Sequence, residues 1–126
     1  MRYFVIQSAN RNGGARVSIR SDLLRGHTDA VILAQLLRHD SYGYEINKTI
    51  ESVSDGAFTL KEATLYTAFR RLEDAGLIAS YWGDACAGAR RRYYKITDKG
   101  RAAYRLAREE WESTVRILDA LLEEEA

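Results

Sequence analysis

From Asp98 to Ala126 the only helix breaker is Gly100, which falls in the first turn behind a capping Thr97. At about 1.5 Å per residue such a helix is roughly 40 Å long, more than a domain of this size can cover, so it must find a partner. Tyr104, Ala107, Trp111, Val115, Leu118 and Leu122 recur at spacings of three and four, and Leu106, Ile117 and Leu121 widen the seam. The seam points to a homodimer. Composition agrees: 126 residues, 46% hydrophobic, support one modest core plus an element buried only on oligomerisation.

The second organising stretch is Lys61 to Ile78, K-E-A-T-L-Y-T-A-F-R-R-L-E-D-A-G-L-I. Leu65, Ala68, Phe69 and Leu72 share one side of a helix and predict its buried face. The other side carries Ala63, Tyr66, Thr67 and Arg70, flanked by Thr64 and Arg71, in place of the Glu/Lys mixture of an ordinary solvated face. Small, hydroxyl and guanidinium groups suit a polar groove. Gly76 falls just past the helix end, where positive φ costs glycine nothing, and a strand should follow.

Upstream, Asp22 to His39 reads as one helix, apolar around much of its circumference through Leu23, Leu24, Ala30, Val31, Leu33, Ala34, Leu36 and Leu37. It needs two partners, its own domain and either a second subunit or the long terminal helix. Ser41 predicts a cap for a second helix from Tyr42 to about Val53, with Tyr44, Ile46, Ile50 and Val53 facing inward. Ser54 to Phe58 is a turn. Two helices and a turn before the Lys61 helix give the order of a helix-turn-helix, whose later helix enters the major groove.

Downstream, I-A-S-Y-W-G and R-R-Y-Y-K-I flank D-A-C-A-G-A and predict a hairpin with Arg90, Arg91 and Arg92 at its basic tip. Such a wing can lie along phosphates or dip into a minor groove; the plainer reading is a charged edge that discourages aggregation. The net charge of +1 hides an asymmetry. Residues 1–60 carry 7 basic and 6 acidic groups, 61–108 carry 11 and 5, and 109–126 carry 1 and 7. A basic middle beside an acidic tail fits a polyanion-binding surface that the tail does not share.

The first residues, M-R-Y-F-V-I-Q, are too short an apolar run for a signal peptide or a membrane span, so no membrane partner is expected. Residues 1–21 read as a loosely ordered extension, even one from an upstream start codon; a basic arm reaching DNA through Arg2, Arg11, Arg16 and Arg20 is the alternative. One cysteine, Cys86, fits a reducing cytoplasm, and with His27 and His39 it makes no convincing zinc site. No cofactor is implied. His27, Glu45 and the tyrosines lack the nucleophile elbow, phosphate loop or metal spacing of an enzyme.

Five strings then carry a resemblance: G-Y-E-I at Gly43 to Ile46, A-T-L-Y at Ala63 to Tyr66, R-R-L-E at Arg70 to Glu73, G-L-I at Gly76 to Ile78 and R-R-Y-Y-K-I-T-D-K-G at Arg91 to Gly100. In this order and spacing the chain, from about Asp22 onward, resembles the PadR family of winged-helix transcriptional regulators. E-A-T-L-Y-T, S-Y-W-G-D and a lone tryptophan early in the seam are similar more narrowly to a lactococcal multidrug-binding repressor of that family.

The resemblance implies a homodimer whose terminal helices pack on the partner's first helix, and a pore at the dimer centre where Trp111 from each subunit stacks on flat aromatic ligands. Val115 stands where the multidrug repressor has an acid, so a cation preference does not carry over unless Glu110 or Glu112 faces the pore. Lys61 stands where many members have a capping serine or asparagine; Thr59 with Glu62 could form the capping box instead.

The expected architecture is mainly α with a small β-hairpin (α+β): an extension at 1–21, a winged helix-turn-helix at 22–96 and a dimerisation helix at 97–126. The expected partner is double-stranded operator DNA, met by Lys61, Ala63, Thr64, Tyr66, Thr67, Arg70, Arg71, Arg90, Arg91 and Arg92. Leu33, Leu37, Tyr104, Leu118 and Leu122 are expected to dimerise. Trp111, Ala107, Val115, Ala30 and Ala34 are expected to hold a planar aromatic effector. The competing reading is a winged helix that serves only as a protein-interaction module.

Overall fold

In a computed structural model of the chain the described residues are 19–83 and 90–123, with side chains from Asp22 onward. The extension up to residue 18, Cys86 and the small-residue loop of the wing lie outside them. The elements run α1 (Ile19–Arg25), α2 (Thr28–Arg38), β1 (Ser41–Tyr42), α3 (Gly43–Val53), α4 (Glu62–Asp74), β2 (Ile78–Trp82), β3 (Arg92–Ile96) and α5 (Asp98–Leu122). The three strands form an antiparallel sheet of order β1-β3-β2, whose Ile78, Tyr94 and Ile96 face is the one buried against the helices.

One core ties these elements together. Ile32, Leu33 and Leu36 from α2, Ile46 and Ile50 from α3, Leu65, Ala68, Phe69 and Leu72 from α4, and Ile78, Tyr94 and Ile96 from the sheet are buried in one cluster. The buried face of α4 is the one its periodicity predicts. Phe69 stacks on Tyr94 with centroids 4.0 Å apart, which fixes the α4 axis over β3.

The long first helix is instead two. After Arg25 the chain turns through Gly26 and His27, with His27 N–H donating to the Leu24 carbonyl (3.0 Å), before α2 starts at Thr28. Glycine is a poor interior helix residue, and the Thr28 hydroxyl donates to the Arg25 carbonyl at 3.0 Å, closing the break. α1 also starts three residues inside the stretch read as an extension.

Ser41 does not cap α3. It is a strand residue, paired with Tyr94 across β3, and Tyr42 occupies the cap position with no side-chain cap bond. The expected hairpin therefore gains a third strand. Two residues are too short a run for alternation to be read, so only the neighbouring strand reveals β1. Tyr44 (68% exposed) and Val53 (72%) face water, leaving Ile46 and Ile50 as the inward pair. Their i, i+4 spacing is one narrow stripe.

Leu33 is corrected as well. It is 2% exposed within the single chain, so it belongs to the core and is not available to a partner, while Leu37 is half-buried against that core. The reason is that α5 returns along α2 in the same chain, with Ala103 and Tyr104 packed on the core. The helix ends at Leu122, with Glu123 extended.

Candidate nucleic-acid interface

The T-D-K-G string sets α5 against the end of α4. The Thr97 hydroxyl accepts from Gly100 N–H (3.0 Å) as the α5 cap and donates to the Leu77 and Gly76 carbonyls (3.0 and 2.7 Å). Lys99 Nζ donates to the Ala75 carbonyl at 2.9 Å, placing a cation on the negative end of α4. A Cβ on Gly100 would stand 2.1 Å from the Leu77 oxygen, so only glycine allows this approach. Gly76, at φ 79, makes the turn out of α4 as expected.

These locks hold α4 so that Lys61, Glu62, Ala63, Thr64, Tyr66, Thr67, Arg70 and Arg71 stay exposed along its outer side. The capping box does not form. Lys61 is the cap residue, with extended backbone and no side-chain cap bond, so the first amides of α4 are left unpaired by any capping side chain. Tyr66 leans back rather than straight outward: its ring meets Phe69 edge-on at 5.5 Å, and a Cβ on Gly43 would come 2.7 Å from its hydroxyl. The G-Y-E-I glycine leaves room for that tyrosine, which would have to shift for a larger residue.

Among the described residues Arg70 has no carboxylate partner, whereas Arg71 donates to Asp29 of α2. That hydrogen bond, and then the carboxylate's charge, raise the Arg71 guanidinium above its ordinary pKa. Arg71 therefore stands at the edge of the helix face, turned toward α2.

Each wing arginine lies over an aromatic ring: Arg90 over Trp82 (5.0 Å to the centroid), Arg91 over Tyr42 (4.7 Å) and Arg92 over Tyr94 (5.8 Å). Guanidinium stacking restricts the side chains while leaving their N–H edges free to meet phosphate. Arg92 is also committed inward, donating to Ser80 Oγ at 3.0 Å and reaching Glu73 at 3.4 Å. Glu73 in turn accepts from Ser80 at 2.7 Å, so R-R-L-E ties α4 to the wing. On the far side of the sheet Tyr81 donates to Asp40 at 2.6 Å, which pushes its phenol up to about 12.

Among the described residues Arg70, Arg90 and Arg91 thus have no carboxylate partner, while Arg71 and Arg92 double as braces. Sequence reasoning missed Asp29, Glu73 and Ser80 as their anchors. Asp29 is 42 positions from Arg71, and no local pattern joins residues so far apart.

The expected effector residues lie elsewhere. The Trp111 ring, 43% exposed, meets His27 edge-on at 5.1 Å. Ala30 and Ala34 sit three and seven residues beyond His27 on the same side of α2, and both are half-buried, as are Ala107 and Val115. His27 carried no role in the sequence reading, because its contact spans 84 positions. Of the two acids flanking Trp111, Glu112 is paired with Arg108 at 2.9 Å. Leu106, Ile117, Leu118, Leu121 and Leu122 line α5 exposed to water.

No helix among the described residues is long and apolar enough to cross a membrane. The sequence signature of the transcriptional regulator PadR-like family matches residues 32–106. A transcriptional regulator from Clostridium thermocellum is 45% identical, covering 82% of this chain and 100% of that one at a TM-score of 0.75. A PadR family transcription regulator from Clostridium difficile is 35% identical over 77% of this chain and 99% of that one, at 0.68. One from Eggerthella lenta is also 35% identical, over 82% and 88%, at 0.71. With its family strings each explained by a contact in the fold, the chain belongs to the PadR-like family of DNA-binding transcriptional regulators.

Proposed function

We propose that the protein is a cytoplasmic, homodimeric repressor that grips operator DNA with α4 and the wing and is released by a planar aromatic ligand beside Trp111. The observation that carries the DNA reading is the outer side of α4, where Lys61, Thr64, Thr67 and Arg70 are exposed, together with a wing whose Arg90 and Arg91 are stacked on aromatic rings. Arg70, Tyr66 and Thr67 read or border base edges, with Ala63 leaving room for the groove; Arg90 and Arg91 hold phosphates. Retention on arbitrary duplex DNA at low salt and its loss at high salt separates this reading from a protein-interaction module.

The apolar row of α5 supports the dimer. Leu118 and Leu122 are 42% and 60% exposed, and Leu121 is 73% exposed, a continuous stripe that a second copy related by two-fold symmetry would cover. Such a dimer presents two copies of α4 to successive major-groove faces.

The effector reading is supported by the open part of the Trp111 ring, by the small Ala107 one turn before it and by the His27 contact at the start of α2, the helix that carries Ala30 and Ala34. Two facing indoles would clasp one planar ring by stacking. Trp82, in β2, would confuse a fluorescence signal, so the assay uses a Trp82→Phe background. There a dye such as Hoechst, or a flavin, should quench the remaining tryptophan, and Trp111→Ala should abolish binding with the dimer intact. A Trp111→Ala protein that dissociates, from a parent that binds no dye, would make Trp111 an interface anchor.

A further inference from the structure

Between the α1–α2 turn and the flank of α4 lies an open cleft of about 350 Å³, lined by Arg25, Thr28, Ala63, Thr64, Thr67, Ala68 and Arg71. Its chemistry is one-sided. Two guanidinium groups and the Thr64 and Thr67 hydroxyls surround a floor of small residues, and the Thr28 hydroxyl is already committed to the Arg25 carbonyl. Arg25 and Thr28 come from a part of the chain that precedes the family-matched span 32–106. Neither entered the interface expected from sequence.

Each cleft arginine is held by one acid: Arg25 donates to Asp22 at 2.6 Å, three residues earlier, and Arg71 to Asp29 of α2. All four side chains are about half exposed, so neither pair is shielded from water or salt. Pairs of this kind contribute little and exchange readily for another anion. A phosphodiester offers what the two carboxylates offer, with oxygens for both forks and for the threonine hydroxyls at once.

We propose that this cleft seats one backbone phosphate of the bound DNA, gripped by Arg25 and Arg71, and that Asp29 occupies Arg71 until the phosphate displaces it. The proposal rests on α4 being the groove-reading helix, since the cleft lies along that helix, where the strand bordering an occupied major groove would pass. It makes α1 part of the DNA interface. It also gives Asp29 the role of a built-in competitor that weakens binding to any duplex, which a repressor that must let go can use.

The test measures affinity of the full-length protein for a short labelled duplex of arbitrary sequence, across about 50 to 200 mM salt. Arg25→Ala should lower the salt slope by about one and weaken low-salt binding by roughly threefold to tenfold. Asp29→Asn should tighten binding by about threefold or more, while Asp119→Asn, on the distal part of α5, should leave it unchanged. Melting curves matching the parent's would establish that each variant is folded.

An Arg25→Ala protein with unaltered slope and affinity would overturn the phosphate seat and leave DNA binding through α4 standing. Weaker binding by Asp29→Asn would make the Asp29–Arg71 pair a structural brace and overturn the competitor role. Millimolar inorganic phosphate should inhibit the parent beyond chloride of matched ionic strength and lose that excess in Arg25→Ala; an excess that persists unchanged in Arg25→Ala would overturn the phosphate seat. A parent that shows no salt-dependent duplex binding would overturn both this proposal and the DNA reading beneath it.

Discussion

The outer side of α4 and the outer side of α5 are both open to water, but for opposite chemical reasons. On α4 the exposed groups are hydroxyls, a lysine and guanidiniums with one carboxylate, Glu62, all of which water solvates well, and the cations are ones a polyanion can recruit. On α5, among charged residues, they include the row Leu106, Ile117, Leu118, Leu121 and Leu122, which water solvates poorly. Exposure alone therefore says little about role. The difference fits the proposed roles, a charged ligand for α4 and an apolar partner surface for α5.

The strongest way to break this contrast is to place charge on α5. Cutting the chain after Lys99 would be a blunt route, because it would also strip Ala103 and Tyr104 from the core. Leu118→Glu with Leu122→Glu touches only exposed positions and should turn a dimer into a folded monomer, read by sedimentation with unchanged circular dichroism. Persistence of the dimer would place the interface elsewhere.

Next in size is the joint between the two regions. Gly100→Ala forces a Cβ against the Leu77 oxygen and within 2.8 Å of Ile96 Cγ1, and should destabilise the fold by about 3 kcal/mol. Thermal melting would measure it, and an unchanged midpoint would mean that α5 shifts freely on the end of α4.

On the α4 side, Arg70→Ala should reduce discrimination between operator and scrambled DNA by about 1–3 kcal/mol. Arg91→Ala should instead weaken both and flatten the salt dependence by about one unit. Equal weakening on both DNAs by Arg70→Ala would move base reading off this helix.

The smallest expected effect is at the wing's anchor. Because Asp40 accepts the Tyr81 hydrogen bond, the phenol titrates at about 12 in the folded protein against an ordinary value near 10. A raised pKa gives a contribution that is complete below about pH 10 and lost as pH rises toward 12. The stabilities of the parent and of Tyr81→Phe should converge over that window, and parallel curves would remove the Tyr81–Asp40 bond from the wing's support.

Some of this was determined by sequence alone. The buried stripe of α4, the Gly76 stop, the Thr97 cap and the unbroken run of α5 are periodic or local signals, decided by residues within one or two helical turns. One glycine of the family strings shows the same economy: Gly100 sits where the Leu77 backbone oxygen leaves no room for a Cβ.

Tertiary structure decided the rest. It split the first helix at Gly26, drew Ser41 into the sheet, turned Tyr44 and Val53 outward, and put Leu33 in the core where the sequence suggested an interface. It also chose which arginines are free, since Asp29 meets Arg71 from 42 positions away and Glu73 meets Arg92 from 19. Periodicity reports which side of an element avoids water. It does not report which neighbour covers that side or which carboxylate reaches a given guanidinium, because those depend on where the whole chain brings distant segments together.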